Sequence, residues 1–265
     1  MLKISNRIIV ILVILLTISV FAWAIKNEYR KVPAPSPVHK RVAIADIKSP
    51  VYEKALLTRL ETVFQKHNAE DESYTISGDI TVNDMTDSTK RLNKVPFVMS
   101  RNGGDFYYML GQTQTLNAEG LYLYIDNSPK TILMSMQKEI TGNDGFKQAI
   151  TGISKGLLSE HYELSSTRKG REQTISMVNE HHITCKQYDV TIDTTNMQLR
   201  KIFIRYTNFN DPSKTDNEKV ITVKVNEWTD TGQPEKYLKA ANVVRKQGDG
   251  YKVTAGYANY ELIKM

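Results

Sequence analysis

Two short stretches of this chain are apolar on both faces of any strand they could form. Phe106-Tyr107-Tyr108-Met109-Leu110 is unbroken, and so is Leu121-Tyr122-Leu123-Tyr124-Ile125. In the stretch that follows, Ile132, Met134 and Met136 share one strand face and Leu133 adds to the other. Side chains alternate across a strand, so an antiparallel sheet with one wet face reads apolar, polar, apolar. Strands apolar on both sides need cover on both sides. The breaks between these runs are tight-turn sequences, Asn102-Gly103-Gly104 and Asn127-Ser128-Pro129-Lys130. Asn and Gly tolerate the positive φ of a short hairpin, which makes neighbouring strands antiparallel. Long crossover helices are missing, which excludes a doubly wound parallel sheet.

The rest of the chain continues the pattern. Strands are expected at 74–82, 96–101, 160–168, 172–179, 183–192, 199–208 and 219–227, with a last hairpin across Gln247-Gly248-Asp249-Gly250. Two segments have helical periodicity instead. Leu56, Leu57, Leu60, Val63 and Phe64 make one apolar face over 53–68, and Phe146, Ile150, Ile153 and Leu157 make another over 144–159. The fold class is therefore α+β: an antiparallel curled sheet, an unclosed half-barrel, with a few covering helices. The two amphipathic helices cover one side of the sheet. The other side closes as a barrel, packs on a second sheet, or lines a cavity for an apolar ligand.

Ahead of this domain, Ile8 to Ile25 carry no charge and are mostly Ile, Leu and Val. Eighteen such residues in a helix span about 27 Å, the thickness of a bilayer core. A transmembrane helix is expected over 1–31 with its flanks, as a signal anchor. Ala22-Trp23-Ala24 supplies an alternative cleavage point, which gives a soluble periplasmic protein. Val32 to Val38 alternates with Pro33, Pro35 and Pro37, so 32–41 is a semi-rigid polyproline spacer, and 42–265 is one periplasmic domain. The expected location is the bacterial inner membrane, crossed once, with the domain on the periplasmic side. The net charge of +6 is spread along the chain. No basic stripe interleaves with aromatics, so nucleic acid is not an expected partner.

Linear signatures of chemistry are missing. There is no G-x-S-x-G, phosphate-binding loop, H-E-x-x-H or EF-hand pattern, and no cofactor motif. His181 and Cys185, placed on one strand, would stand about 13 Å apart, too far for one zinc ion. The single cysteine, Cys185, sits among Ile, Tyr and Val and reads as a small core residue. Asp84, Asp87 and Asp126 are expected in turns, where their side chains bond to the backbone. The chain is not expected to be an enzyme. What stands out is the mixture of Met and Tyr in the doubly apolar strands. Met adapts to variable apolar shapes, and Tyr offers an apolar ring with a polar tip at a wet rim. Tyr107, Met109, Tyr122, Tyr124, Met134 and Met136 are the candidate lining of a ligand cavity.

The layout resembles the outer-membrane lipoprotein carrier and lipoprotein-sorting family, the LolA-like proteins. The resemblance lies in the order of elements: an exported N-terminus, a first helix, then Tyr74-Thr75-Ile76-Ser77-Gly78-Asp79-Ile80, hairpins, and a helix in the middle. Tyr188-Asp189-Val190-Thr191-Ile192-Asp193, Leu199-Arg200-Lys201-Ile202 and Val223-Lys224-Val225-Asn226-Glu227-Trp228 follow. The family resemblance implies a curled sheet that binds acyl chains or a lipoprotein non-covalently in its concave face. The family's carriers are released into the periplasm, whereas this chain has the features of an anchored one, and no residue role is carried over. A second class of function fits the anchor and spacer equally: a non-catalytic interaction module that docks an envelope or secretion partner.

Overall fold

The computed structural model describes residues 53–65, 73–138, 160–208 and 217–265. The expected transmembrane segment, the spacer and the helix over 144–159 lie outside the described residues.

Two antiparallel meanders make the sheet. The first runs β1 (Ser73–Asp84), β2 (Leu92–Asn102), β3 (Asp105–Leu110), β4 (Thr113–Ala118), β5 (Leu121–Asp126) and β6 (Thr131–Met136). The second runs β7 (Glu163–Lys169), β8 (Glu172–Val178), β9 (Cys185–Asp193), β10 (Gln198–Tyr206) and β11 (Lys219–Thr229). The seam between them is the antiparallel pairing of β1 with β11. After a hairpin of β12 (Val244–Gln247) and β13 (Gly250–Val253), the chain ends in β14 (Glu261–Lys264). Strand β14 lies parallel to β6 at the sheet edge, an exception to the antiparallel pairing expected throughout. The result is a curled, unclosed 12-stranded sheet whose free edges are β14 and β7.

The turn residues act as expected. Gly103 and Gly248 take φ of 59° and 58°, the left-handed region that glycine enters without a Cβ clash. The two-residue turn fixes Asn102 opposite Asp105, which fixes every pairing between β2 and β3. Strand β4, whose Thr113, Gln114, Thr115 and Asn117 are polar, is not among the expected strands. Its place is set by the strands on either side.

Helix α1 (Lys54–Gln65) buries Leu56, Leu60 and Val63, the i, i+4, i+7 stripe. They pack with Ile175, Met177, Val190 and Ile192 of β8 and β9. We call this side of the sheet the helix face. The opposite side is closed at the β4–β6 end by the C-terminal tail, residues 234–262. There Leu238, Ala240, Val243 and Val244 pack with Leu116, Leu121, Leu123, Ile125, Ile132 and Met134. This is the tail face. Each fully buried aliphatic side chain contributes about 2 kcal/mol of transfer free energy, so these two clusters hold opposite ends of the sheet to their covers.

A buried ion pair ties β9 to the residue ahead of β11. Lys186 Nζ donates to Glu218 Oε1 at 2.8 Å, and each side chain is 5% exposed. Arg205 Nη1 reaches Glu218 Oε2 at 3.2 Å. At the far end of β1, Asp84 accepts from Thr86 Oγ1 (2.7 Å), Thr86 N (3.1 Å) and Asp87 N (3.1 Å). Burial pushes its carboxyl upward, but these donors and Lys219 together prevail and hold it below the usual aspartate range. The stabilisation is then present above about pH 4 and lost as pH falls through the lower folded value. Asp84→Asn should cost about 1–2 kcal/mol at neutral pH. Urea melts should show the gap from native closing as the solution is acidified, and a gap that does not narrow would assign the cost to something other than the charge.

Candidate functional site

Pairing register sorts the candidate residues by face, because residues opposite each other on paired strands point to the same side. One line across the helix face runs Trp228, Ile76, Met99, Tyr108, Thr115, Tyr124, Leu133, Ile263. The next line runs Tyr74, Arg101, Phe106, Asn117, Tyr122, Ser135. Across the tail face, Tyr107 lines up with Leu116, Leu123 and Met134, and Met109 with Gln114, Ile125 and Ile132.

The six residues singled out in the sequence are therefore not brought together. Tyr122 and Tyr124 are on the helix face. Tyr107, Met109, Met134 and Met136 are on the tail face. Tyr107 stacks on Tyr237 of the tail, with ring centroids 5.1 Å apart, and its hydroxyl donates to Gln114 Oε1 at 3.1 Å. Burial, with Tyr257 and Tyr237 adding to it, pushes the Tyr107 phenol up to about 12. Met134 is buried in the same cluster. Met136, at the end of β6, is exposed. Tyr107 and Met134 thus meet the chain's own tail, whose place over them was not legible in the sequence.

On the helix face the neighbours of Tyr122 and Tyr124 are Phe106, Tyr108, Leu133 and Ile263. The rings of Phe106 and Tyr108 stack at 4.7 Å. Phe106, Tyr108, Tyr122, Tyr124 and Leu133 are each of intermediate exposure, and Ile263 is exposed. Burial, reinforced by Tyr74, pushes the Tyr108 phenol up to about 12 against the pull of Arg101. Tyr124 is likewise raised, by burial first and then by Asp126 and Tyr122. Toward the centre of the sheet this surface runs into a core of Ile80, Val82, Phe97, Ile221, Val225 and Trp228. The polar members of the outer line are Arg101, Asn117 and Ser135, and Lys138, just past the end of β6, is tied to Asn117. Asn117 accepts from Lys138 N at 2.8 Å and donates to Lys138 O at 3.1 Å. Lys138 Nζ then lies 3.8 Å from the centroid of the Tyr122 ring, a cation–π contact.

The histidine–cysteine stretch forms no nucleophile. His181 and His182 precede β9 in a turn, so the expected strand geometry of His181 and Cys185 does not arise. His182 Nδ1 accepts from Thr184 N at 3.1 Å and Cys185 N at 3.0 Å, and its Nε2 faces Glu160 Oε2 at 3.3 Å. The Cys185 thiol donates to the Gln187 carbonyl at 3.4 Å, and burial pushes it up to about 11, so it stays protonated at neutral pH. Among the described residues no group of three or more His, Cys, Asp and Glu is placed to hold a metal ion.

No family model matches the sequence, and no curated protein matches it. Solved structures with distant likeness to the chain are found. An uncharacterised conserved protein from Thermus thermophilus is 11% identical, with a TM-score of 0.36, over 80% of this chain and 98% of its own. The Pseudomonas aeruginosa MucA/MucB complex gives 8% identity and a TM-score of 0.34, over 76% of this chain and 62% of the other. A LolA superfamily protein from Nitrosomonas europaea is 11% identical, with a TM-score of 0.27, over 72% of this chain and all of its own.

Proposed function

We propose that this protein is a membrane-anchored periplasmic binding protein that holds an apolar ligand, an acyl chain or the acylated end of a lipoprotein, on the helix face of its curled sheet. One observation carries the reading. Strands β3, β5 and β6 are apolar on both faces, and the described residues cover the two unequally: the tail buries Leu121, Leu123 and Ile125 on one, while Tyr122, Tyr124, Phe106, Tyr108 and Leu133 on the other remain partly open. A half-covered aromatic and aliphatic surface on one face of an unclosed sheet suits an acyl chain, which needs contact area and few directed hydrogen bonds. The ligand set is thus Tyr122 and Tyr124 of the original six, joined by their face partners. The N-terminal apolar segment would keep the domain near the membrane that supplies such a ligand.

The reading is tested with the full chain held in amphipol and titrated with a fluorescent fatty acid. Saturable uptake is expected. A charge in the apolar surface opposes burial of the chain by more than about 1.4 kcal/mol, so Tyr124→Asp or Leu133→Asp should weaken uptake at least about tenfold. Met136→Asp, on the other face and exposed, should not. Uptake that fails to saturate, or that survives both helix-face changes, removes the lipid reading. In that case the interaction module remains, and crosslinking through the edge strand β7, exposed along nearly all its length, becomes the informative experiment.

A further inference from the structure

Arg101 is a buried cation whose counter-charge is not supplied by the described residues. It is 9% exposed, and its single hydrogen bond among them is Nε to the Gly103 carbonyl at 2.8 Å. Four of the five guanidinium N–H donors are left over. No carboxylate pairs with it among the described residues, although the same sheet supplies Arg205 with both Glu180 and Glu218 and Arg200 with Asp193. Its neighbours across the strands are Tyr74 and Phe106, and Tyr108 is close enough for the guanidinium to pull its phenol downward. A guanidinium withdrawn from water among aromatic rings costs free energy unless an anion accompanies it.

Register places this charge on the helix face, in the outer line of the surface described above, next to the apolar line of Met99, Tyr108, Tyr124 and Leu133. Lys138, which follows β6, holds its ammonium over Tyr122 of that line and adds a second positive group there. Resting on the binding function proposed above, we infer that the ligand of the helix face is an anionic amphiphile, with its carboxylate or phosphate on Arg101 and its hydrocarbon on the neighbouring apolar line. The planar fork of arginine matches both oxyanions with two parallel hydrogen bonds, which a lysine cannot reproduce. Asn117 and the Lys138 ammonium flank the path that the head group would take.

The test uses the full chain in amphipol with four probes: a long-chain fatty acid, an alkyl phosphate, the fatty alcohol of the same length, and inorganic phosphate. At neutral pH the acid and the alkyl phosphate should each bind at least about tenfold tighter than the alcohol, a charge-assisted hydrogen bond's worth of affinity. Arg101→Gln should bring acid and alkyl phosphate down to the alcohol while leaving the alcohol unchanged, and Arg101→Lys should restore only part of the preference. Equal binding of acid and alcohol by the native chain overturns the inference, as does a preference that survives Arg101→Gln. Inorganic phosphate binding as tightly as the alkyl phosphate overturns the amphiphile and leaves a small-anion site. Binding of neither acid nor alcohol overturns the apolar-ligand reading itself. Should Arg101→Gln not fold, the native comparison of acid with alcohol still decides the matter.

Discussion

Leu123→Ala is expected to lower the thermal midpoint by about 10 °C, whereas Tyr124→Ala, one residue along, is expected to lower it by only a few degrees. Leu123 is fully buried, paired with Leu116 and Met134 across the strands and covered by the tail residues Leu238 and Val243. Removing three carbons from such a site loses their transfer free energy and leaves a cavity, together about 3–4 kcal/mol. In a domain of this size each kcal/mol moves the midpoint by about 2–4 °C. Tyr124 points to the other face and is partly open, so its truncation loses less packing and leaves no closed void. The measurement is near-ultraviolet circular dichroism of both variants through heating. Equal shifts would mean that the two faces of β5 are equally covered, and the assignment of an open binding face would fall with that result.

The local elements of this fold were legible because their signals are local. Asn102-Gly103-Gly104 and Gln247-Gly248-Asp249-Gly250 announce tight turns through the φ they must adopt, and the structure places hairpins at both. The i, i+4, i+7 spacing of Leu56, Leu60 and Val63 announced α1, which runs Lys54–Gln65; residues 66–68 of the expected span lie outside the described residues. Strand β4 was hidden because Thr113, Thr115 and Asn117 on its helix face are polar although Thr113 and Asn117 are buried. Its two neighbours decide its conformation. Strand β14 was hidden for a different reason: a short terminal segment pairs in parallel with β6, a partner far back in the sequence, and only the packing of the tail brings them together. The tail's role was the costliest omission. Sequence shows that β3, β5 and β6 need cover on both sides, but not which segment supplies it. Tyr107 and Met134 therefore read as cavity lining when they are the floor beneath Tyr237 and Leu238. The same limit applies to charge. Arg101 looks ordinary in the sequence, and its isolation is visible only once the register shows which side chains face it.

Gly78→Ala should cost more than about 3 kcal/mol, and Gly104→Ala next to nothing. Both glycines lie in the first meander, and neither has a positive φ. In an unfolded chain each change removes backbone freedom, which by itself stabilises the native state by about 0.4–1 kcal/mol. The difference is therefore decided by space. Nothing lies within 4 Å of a Cβ built on Gly104. A Cβ on Gly78 would stand 1.8 Å from the Lys224 carbonyl oxygen and 2.8 Å from Cε1 of Phe97. The carbonyl belongs to the backbone of β11 and cannot swing aside. The register of β1 against β11 slips at this point, with Ser77 opposite Glu227 and Gly78 opposite Val225, so the two strands approach closely at a bulge. A methyl group there must push β11 away from β1. That seam is where the two meanders join, so the damage extends beyond one contact to the cluster of Ile80, Phe97, Ile221 and Val225 that spans it. Urea denaturation of the two variants measures the contrast directly. A small effect at Gly78 would show that the seam tolerates separation. A large one, with the α1 cluster still protected in hydrogen exchange, would show that each meander keeps its own cover while the join between them fails.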